Sequence, residues 1–184
     1  NCFRNFTPPA QRITQVLNGL AFLKHRVQKA LFGWFRKSVS QVGALPFVVV
    51  EDVIFIALIT SRRRGRWILP KGWPIKDLSS PASAAQEALE EAGCLGQIAM
   101  VPCGSFKYQK ATAKGYDVES TVEVYPLKVS YQCLDWRERR ERDLEWVSLE
   151  QAASLVDEME LRRLLQYLIR NPERILNASY HSFR

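Results

Sequence analysis

The apolar run over residues 44–60 limits most strongly what this chain can become. Pro46, Glu51 and Asp52 interrupt it. A membrane-spanning helix needs about 20 consecutive apolar residues, so the run reads as strands at 47–50 and 53–59 around a Glu51-Asp52 turn. A third short strand is expected at 67–69, followed by a loop over 70–80 punctuated by Pro, Gly and Ser. Further strands are expected at 99–108 and 118–131, joined by a turn over 110–115, and at 144–147. In the second of these Val118, Thr121 or Val122, Val124 and Leu127 alternate with Glu119, Glu123 and Lys128.

Helices interleave with these strands without a regular strand–helix–strand rhythm. Ser80 is read as an N-cap and Pro81 as the first helical residue of a helix over 81–92. Ala82, Ala84, Ala85 and Ala88 let that helix lie close to a sheet. Gly93 suits the left-handed position that ends a helix. Ser148 followed by Gln151 predicts a capping box, another helix is expected over 158–169, and the tail from residue 171 reads as loose. The fold class expected is α+β, a mixed-sheet sandwich.

The N-terminal segment differs from the rest. Arg4, Arg12, Lys24, Arg26, Lys29, Arg36 and Lys37 face no acidic residue within 1–50, and the net charge of +7 resides there. Ile13, Leu17, Leu20, Val27, Leu31 and Phe35 predict an amphipathic helix over 11–37. Packing on the domain or on a partner, including a second copy in a homodimer, is its simplest role. Binding to anionic lipid and an organelle presequence are the alternatives. The division expected is a basic helical segment over 1–40, a domain over 41–170 and a tail over 171–184.

Chemistry concentrates in the helix over 81–92. Glu87, Glu90 and Glu91 share one face, and no Lys or Arg occurs from residue 77 to residue 106. Like-charge neighbours at this spacing cost about 0.2–0.5 kcal/mol per pair. The carboxylates also fall in the last two turns, where the helix dipole disfavours anions. Two local penalties at one place point to a missing partner, and a divalent cation is the natural candidate. Cys2, Cys94, Cys103 and Cys133 show neither C-x-x-C pairing nor His clustering, which argues against a zinc site or a disulfide framework and for a reducing compartment, taken as the cytoplasm. His25 and His181 lie outside the domain body and need no catalytic role.

From Gly72 to Cys94 the chain resembles the Nudix box, G-x5-E-x7-R-E-U-x-E-E-x-G-U, where U is a bulky apolar residue. Gly72, Glu87, Glu90, Glu91 and Gly93 fall in register, and Ala88 and Cys94 take the apolar positions. Leu78 replaces the first family glutamate and Gln86 the family arginine. In many Nudix domains those two charges pair near the site. Losing both together avoids stranding one partly buried charge. The lead-in from Arg66 to Pro74 and the stretch from Arg142 to Ala152 are similar to Nudix proteins of the diphosphoinositol polyphosphate phosphohydrolase kind. The resemblance covers residues 45–169 and implies an α/β/α Nudix sandwich.

The resemblance implies Mg²⁺- or Mn²⁺-dependent hydrolysis of a phosphoanhydride bond in a highly anionic small molecule, such as a diphosphoinositol polyphosphate or dinucleoside polyphosphate. Glu87 and Glu91 are the expected metal ligands, with Glu90 in the same shell and the Lys71 carbonyl as a further ligand. A general base is expected among Glu87, Glu90 and a later loop carboxylate, Glu138 ahead of Glu141. Arg62, Arg64, Arg66 and Lys71 are expected on substrate phosphates, Arg62 aligning best, and Lys107, Lys110 and Lys114 could extend that surface. Leu78 and Gln86 motivate the alternative of a non-catalytic binding module. Nucleic acid is the least favoured partner, because the chain has no aromatic–basic RNA motif.

Overall fold

The computed structural model describes residues 39–111 and 117–182. The helix expected over 11–37 and the tip of the turn expected over 110–115 lie outside the described residues, with Lys114 and the Lys110 side chain. Residues 39 and 40, expected at the end of the helical segment, instead open a strand.

Nine strands form one mixed sheet among the described residues. β1 (Val39–Val50) and β2 (Val53–Thr60) make a hairpin. Glu51 and Asp52, with φ of 49° and 64°, turn it as expected. Two left-handed residues match the twist of the flanking strands. β3 (Trp67–Ile68) pairs with β2, and β4 (Lys71–Gly72) pairs with β1. β7 (Asp117–Gln132) runs parallel to β1 and antiparallel to β5 (Cys94–Ala99) and β6 (Gly104–Ala111). β8 (Leu144–Ser148) pairs with β2.

Alternation along the strands fills two cores. Leu45, Phe47, Ile56, Leu58, Val122 and Val124 face one side. There they meet α2 (Leu149–Leu155), α3 (Met159–Arg170) and α4 (Glu173–Leu176). Val42, Ala44, Ala57, Ile59, Tyr125 and Leu127 face the other side, against α1 (Ser80–Ala92). Ala84, Ala88 and Ala92 of α1 are fully buried, so the helix lies close to the sheet as its alanines suggested. The expected α/β/α sandwich is the one observed.

Three local expectations need correction. The single strand expected at 99–108 is two, β5 and β6, because the chain breaks at exposed Met100 and Val101 and at Pro102, which lacks a ladder donor. The N-cap of α1 is Ser79, whose hydroxyl accepts from the Ala82 amide at 3.3 Å, one residue before the Ser80 expected. The tail is not loose. Ile175 is fully buried, the Tyr180 ring sits 5.9 Å from Phe47, and β9 (Tyr180–Ser182) pairs with β5. Two anchors five residues apart carry no helical or strand periodicity to read. No helix among the described residues is long and apolar enough to cross a membrane.

Candidate functional site

The site forms where the C-terminal half of α1 meets β4 and the loop over 133–143. Gly93 ends the helix with φ of 66°, and its amide bonds the Leu89 carbonyl at 3.0 Å. The last carbonyls of a helix have no partner within it. The loop supplies three donors: the Cys133 amide to the Gly93 carbonyl at 2.8 Å, the Trp136 indole N–H to Glu91 at 3.2 Å, and the Glu138 amide to Glu90 at 3.1 Å. A methyl at residue 93 would lie 2.9 Å from the Trp136 ring, so glycine also makes room for the loop.

This docking sets the electrostatics of the glutamate face. Glu91 is buried; one oxygen accepts from the Lys71 amide at 2.9 Å and the other from the Arg142 guanidinium. Arg142 Nε also donates to Glu138 at 2.6 Å, and its Nη1 to the Thr60 carbonyl at 2.9 Å. Glu90 accepts from Gln86 at 2.7 Å and pairs with Arg137. The cluster therefore does have basic partners, contrary to the expectation that protein leaves it bare. They come from about 50 residues downstream, Arg142 lying 51 positions from Glu91.

Glu87 is different. Among the described residues, no hydrogen bond or ion pair reaches its carboxylate, which packs against Gly72 so closely that a methyl there would overlap it. Burial, then the charges of Glu91, Glu90 and Glu138, push the Glu87 carboxyl up to about 7, against the opposing charge of Lys71. Burial also raises Glu91, although Arg142 and the Lys71 amide pull it back. Among the described residues, no three carboxylates converge as a closed metal cage; Glu91 is paired with Arg142 and Glu90 with Arg137. A divalent ion does not need such a cage. Mg²⁺ keeps several waters and takes one or two carboxylates plus substrate oxygens, and Glu87 is a hard oxygen donor short of positive charge.

The other candidates divide. Arg62 pairs with Glu141 at 3.1 Å and Glu138 at 3.6 Å, bordering the cluster. Both contacts raise its pKa, the Glu141 hydrogen bond most. Lys71 extends its ammonium over the Tyr108 ring at 5.1 Å. Arg64 is exposed. Arg66 instead engages Asp157 at 3.4 Å and Glu158 at 3.7 Å, between α2 and α3, and Lys107 pairs with Glu119 at 3.2 Å. Leu78 is 47% exposed, so the reasoning that a charge there would be stranded in a buried place does not hold at that position. Cys94 and Cys103 are pushed up to about 12 by burial and are poor nucleophiles. Sequence reasoning missed Arg142, Arg137 and Trp136 as site residues. The signal was present in the arginine-rich stretch from Trp136 to Arg142, but nothing local aims it at α1. The loop also lines a cavity of about 680 Å³, from Arg139 to Asp143.

No family model matches the chain. It is 34% identical over 133 residues to "Nudix hydrolase 21, chloroplastic" of Arabidopsis thaliana, covering 70% of this chain and 65% of that protein. It is 26% identical over 125 residues to "Nudix hydrolase 12, mitochondrial" of the same plant, covering 62% and 58%. The chain thus spans less than two thirds of these curated relatives. The crystal structure of C. elegans Ap4A hydrolase superposes with a TM-score of 0.56 at 20% identity, covering 73% of this chain and 98% of that one.

Proposed function

The chain belongs to the Nudix hydrolase superfamily, and from that premise we propose that it hydrolyses a phosphoanhydride bond in a strongly anionic phosphorylated small molecule, with Mg²⁺ or Mn²⁺. The observation that carries this reading is Glu87, a carboxylate with no cationic partner in contact, set among three like charges. A bound divalent ion supplies Lewis-acid polarisation of phosphate and an activated water. In this reading Glu87 and the Lys71 carbonyl hold the ion, with Glu90 and Glu91 completing its charge environment. Glu138 is the general base, since it lies on the loop that docks on α1 and shares Arg142 with Glu91. Arg62 and Lys71 receive substrate phosphates, with Arg64 exposed on the same turn as Arg62.

Diphosphoinositol polyphosphates and dinucleoside polyphosphates are the proposed substrates, because such polyanions match a turn carrying Arg62, Arg63 and Arg64. The test is a panel of both classes and ADP-ribose, assayed with Mg²⁺ and with Mn²⁺. Metal-dependent release of phosphate or a nucleotide product, abolished by Glu87→Gln, is the expected result. Ligand-induced thermal stabilisation without product across the panel overturns it in favour of a binding module. The cytoplasm is our proposal; the curated relatives are named for the chloroplast and the mitochondrion, and fractionation of a tagged chain decides between them.

A further inference from the structure

Arg142 has no place in the metal and phosphate roles above, yet among the described residues it has the least exposed charged side chain of the ion pairs, at 5%. Its three nitrogens are all used: Nε on Glu138, Nη1 on the Thr60 carbonyl and Nη2 on Glu91. It thereby joins α1, the end of β2 and the loop over 133–143. The next residue repeats the anchor, the Asp143 amide bonding the Thr60 hydroxyl at 2.9 Å. Stability alone does not account for this arrangement. Burying ions costs desolvation, and replacing a whole buried pair or triad by apolar side chains of similar volume is often neutral or better. What a buried guanidinium provides is fixed geometry, because its planar fork sets two carboxylates at one distance and angle. Position 86, on the same face of α1, cannot do this: its neutral amide reaches Glu90 alone among the glutamates.

Resting on the hydrolase reading, we propose that Arg142 is the positioning residue of the site. It locks the helix carboxylate Glu91 to the loop carboxylate Glu138, so that both face the ion and the substrate in one arrangement. It acts through those carboxylates and touches no substrate itself.

Arg142→Lys and Arg142→Met test this in the full chain. Lysine keeps the charge and the fold but cannot span three acceptors. Expected is a kcat lowered about 10-fold in the lysine variant and about 100-fold in the methionine variant, with KM within about 3-fold. Mn²⁺ affinity, read by calorimetry, is expected to be unchanged or tighter in Arg142→Met, because a competing cation has gone. Losing Arg142 leaves two buried carboxylates without their cation, so the melting temperature of Arg142→Met falls on either reading; a purely structural role predicts instead that Mn²⁺ affinity falls together with kcat, and that result overturns the proposal, as does wild-type kcat in the lysine variant. If the wild-type chain turns over nothing, the hydrolase reading fails separately. Hydrogen exchange then decides Arg142: faster exchange confined to residues 133–143 in the lysine variant upholds the lock, and unchanged exchange refutes it.

Discussion

Replacing Glu87 by Gln should make the metal-free protein more stable and the metal-loaded protein no more stable than that. Glu87 carries a proton more tightly in the fold, at about 7, than in the unfolded chain, at 4.5. Between those values the native state binds more protons than the unfolded state, so stability falls as pH rises through the window and is lowest above it. At face value that burden is about 3 kcal/mol. Glu87 is only half-buried, so solvent screening reduces it to about 1–2 kcal/mol. Glutamine has the same shape and does not titrate. The substitution should therefore raise the melting temperature at pH 8, in a chelator, by about 2–8 °C for a chain of this size. The gain should vanish near pH 4.5. Glu91 also loses a like-charged neighbour in the variant, which acts in the same direction as the gain. Saturating Mg²⁺ should stabilise the wild-type chain, by about 2.7 kcal/mol at a hundred times its Kd, and leave the variant little changed. Differential scanning calorimetry at pH 4.5 and 8, with chelator and with Mg²⁺, reads all four states. A variant no more stable than wild type at pH 8, or one stabilised equally by Mg²⁺, would refute the reasoning.

The same geometry yields four shorter predictions. Gly72→Ala should cost more than about 10-fold in turnover while the fold survives, because the added methyl displaces the flexible end of Glu87 rather than backbone; full activity would show that the position of Glu87 is unimportant. Gly93→Ala should lower stability by at least about 1–2 kcal/mol for the left-handed backbone alone, with the Trp136 ring at 2.9 Å adding to it, seen as a reduced urea midpoint. Arg62→Ala should barely change stability, since exposed ion pairs contribute about 0–1 kcal/mol, but should raise KM for polyphosphate substrates several-fold; an unchanged KM removes Arg62 from substrate binding. Mn²⁺ binding to the protein alone should be weak and should tighten with a non-hydrolysable polyphosphate present, because one unpaired carboxylate makes a poor site without phosphate oxygens. Tight Mn²⁺ binding to the unliganded chain, measured by electron paramagnetic resonance, contradicts that.

What the sequence disclosed was local. The Glu51-Asp52 turn, the alanine face of α1, the Gly93 terminus and the reciprocal Ser148–Gln151 bonds at 3.0 and 3.2 Å all depend on neighbours within four residues. The i, i+3, i+4 spacing places Glu87, Glu90 and Glu91 on one face. What it concealed was long-range. The pairing of β1 with β7 joins Val39 to Ser120, and Arg142 meets Glu91 across 51 residues. An arginine in a charged loop looks the same in sequence whether it is solvated or buried. The tail was misread for a related reason: Ile175 and Tyr180 anchor it by contacts with distant parts of the chain.

The absence of Lys or Arg over residues 77–106 reads as a charge deficit awaiting a metal, and the structure narrows that deficit to one residue. A helix C-terminus disfavours carboxylates, and three of them there would tend to fray α1 unless cations and donors arrived from elsewhere. The loop over 133–143 brings both, capping the carbonyls of Glu90, Glu91 and Gly93 and delivering Arg137 and Arg142 to two of the three glutamates. Had it also delivered a cation to Glu87, the helix would be better neutralised and the site would have little affinity for an exogenous ion. The uneven neutralisation is therefore what links fold to chemistry: Glu90 and Glu91 are satisfied enough to hold the helix end, while Glu87, pressed against Gly72 with no counter-ion in contact, retains the unmet charge that an ion can complete.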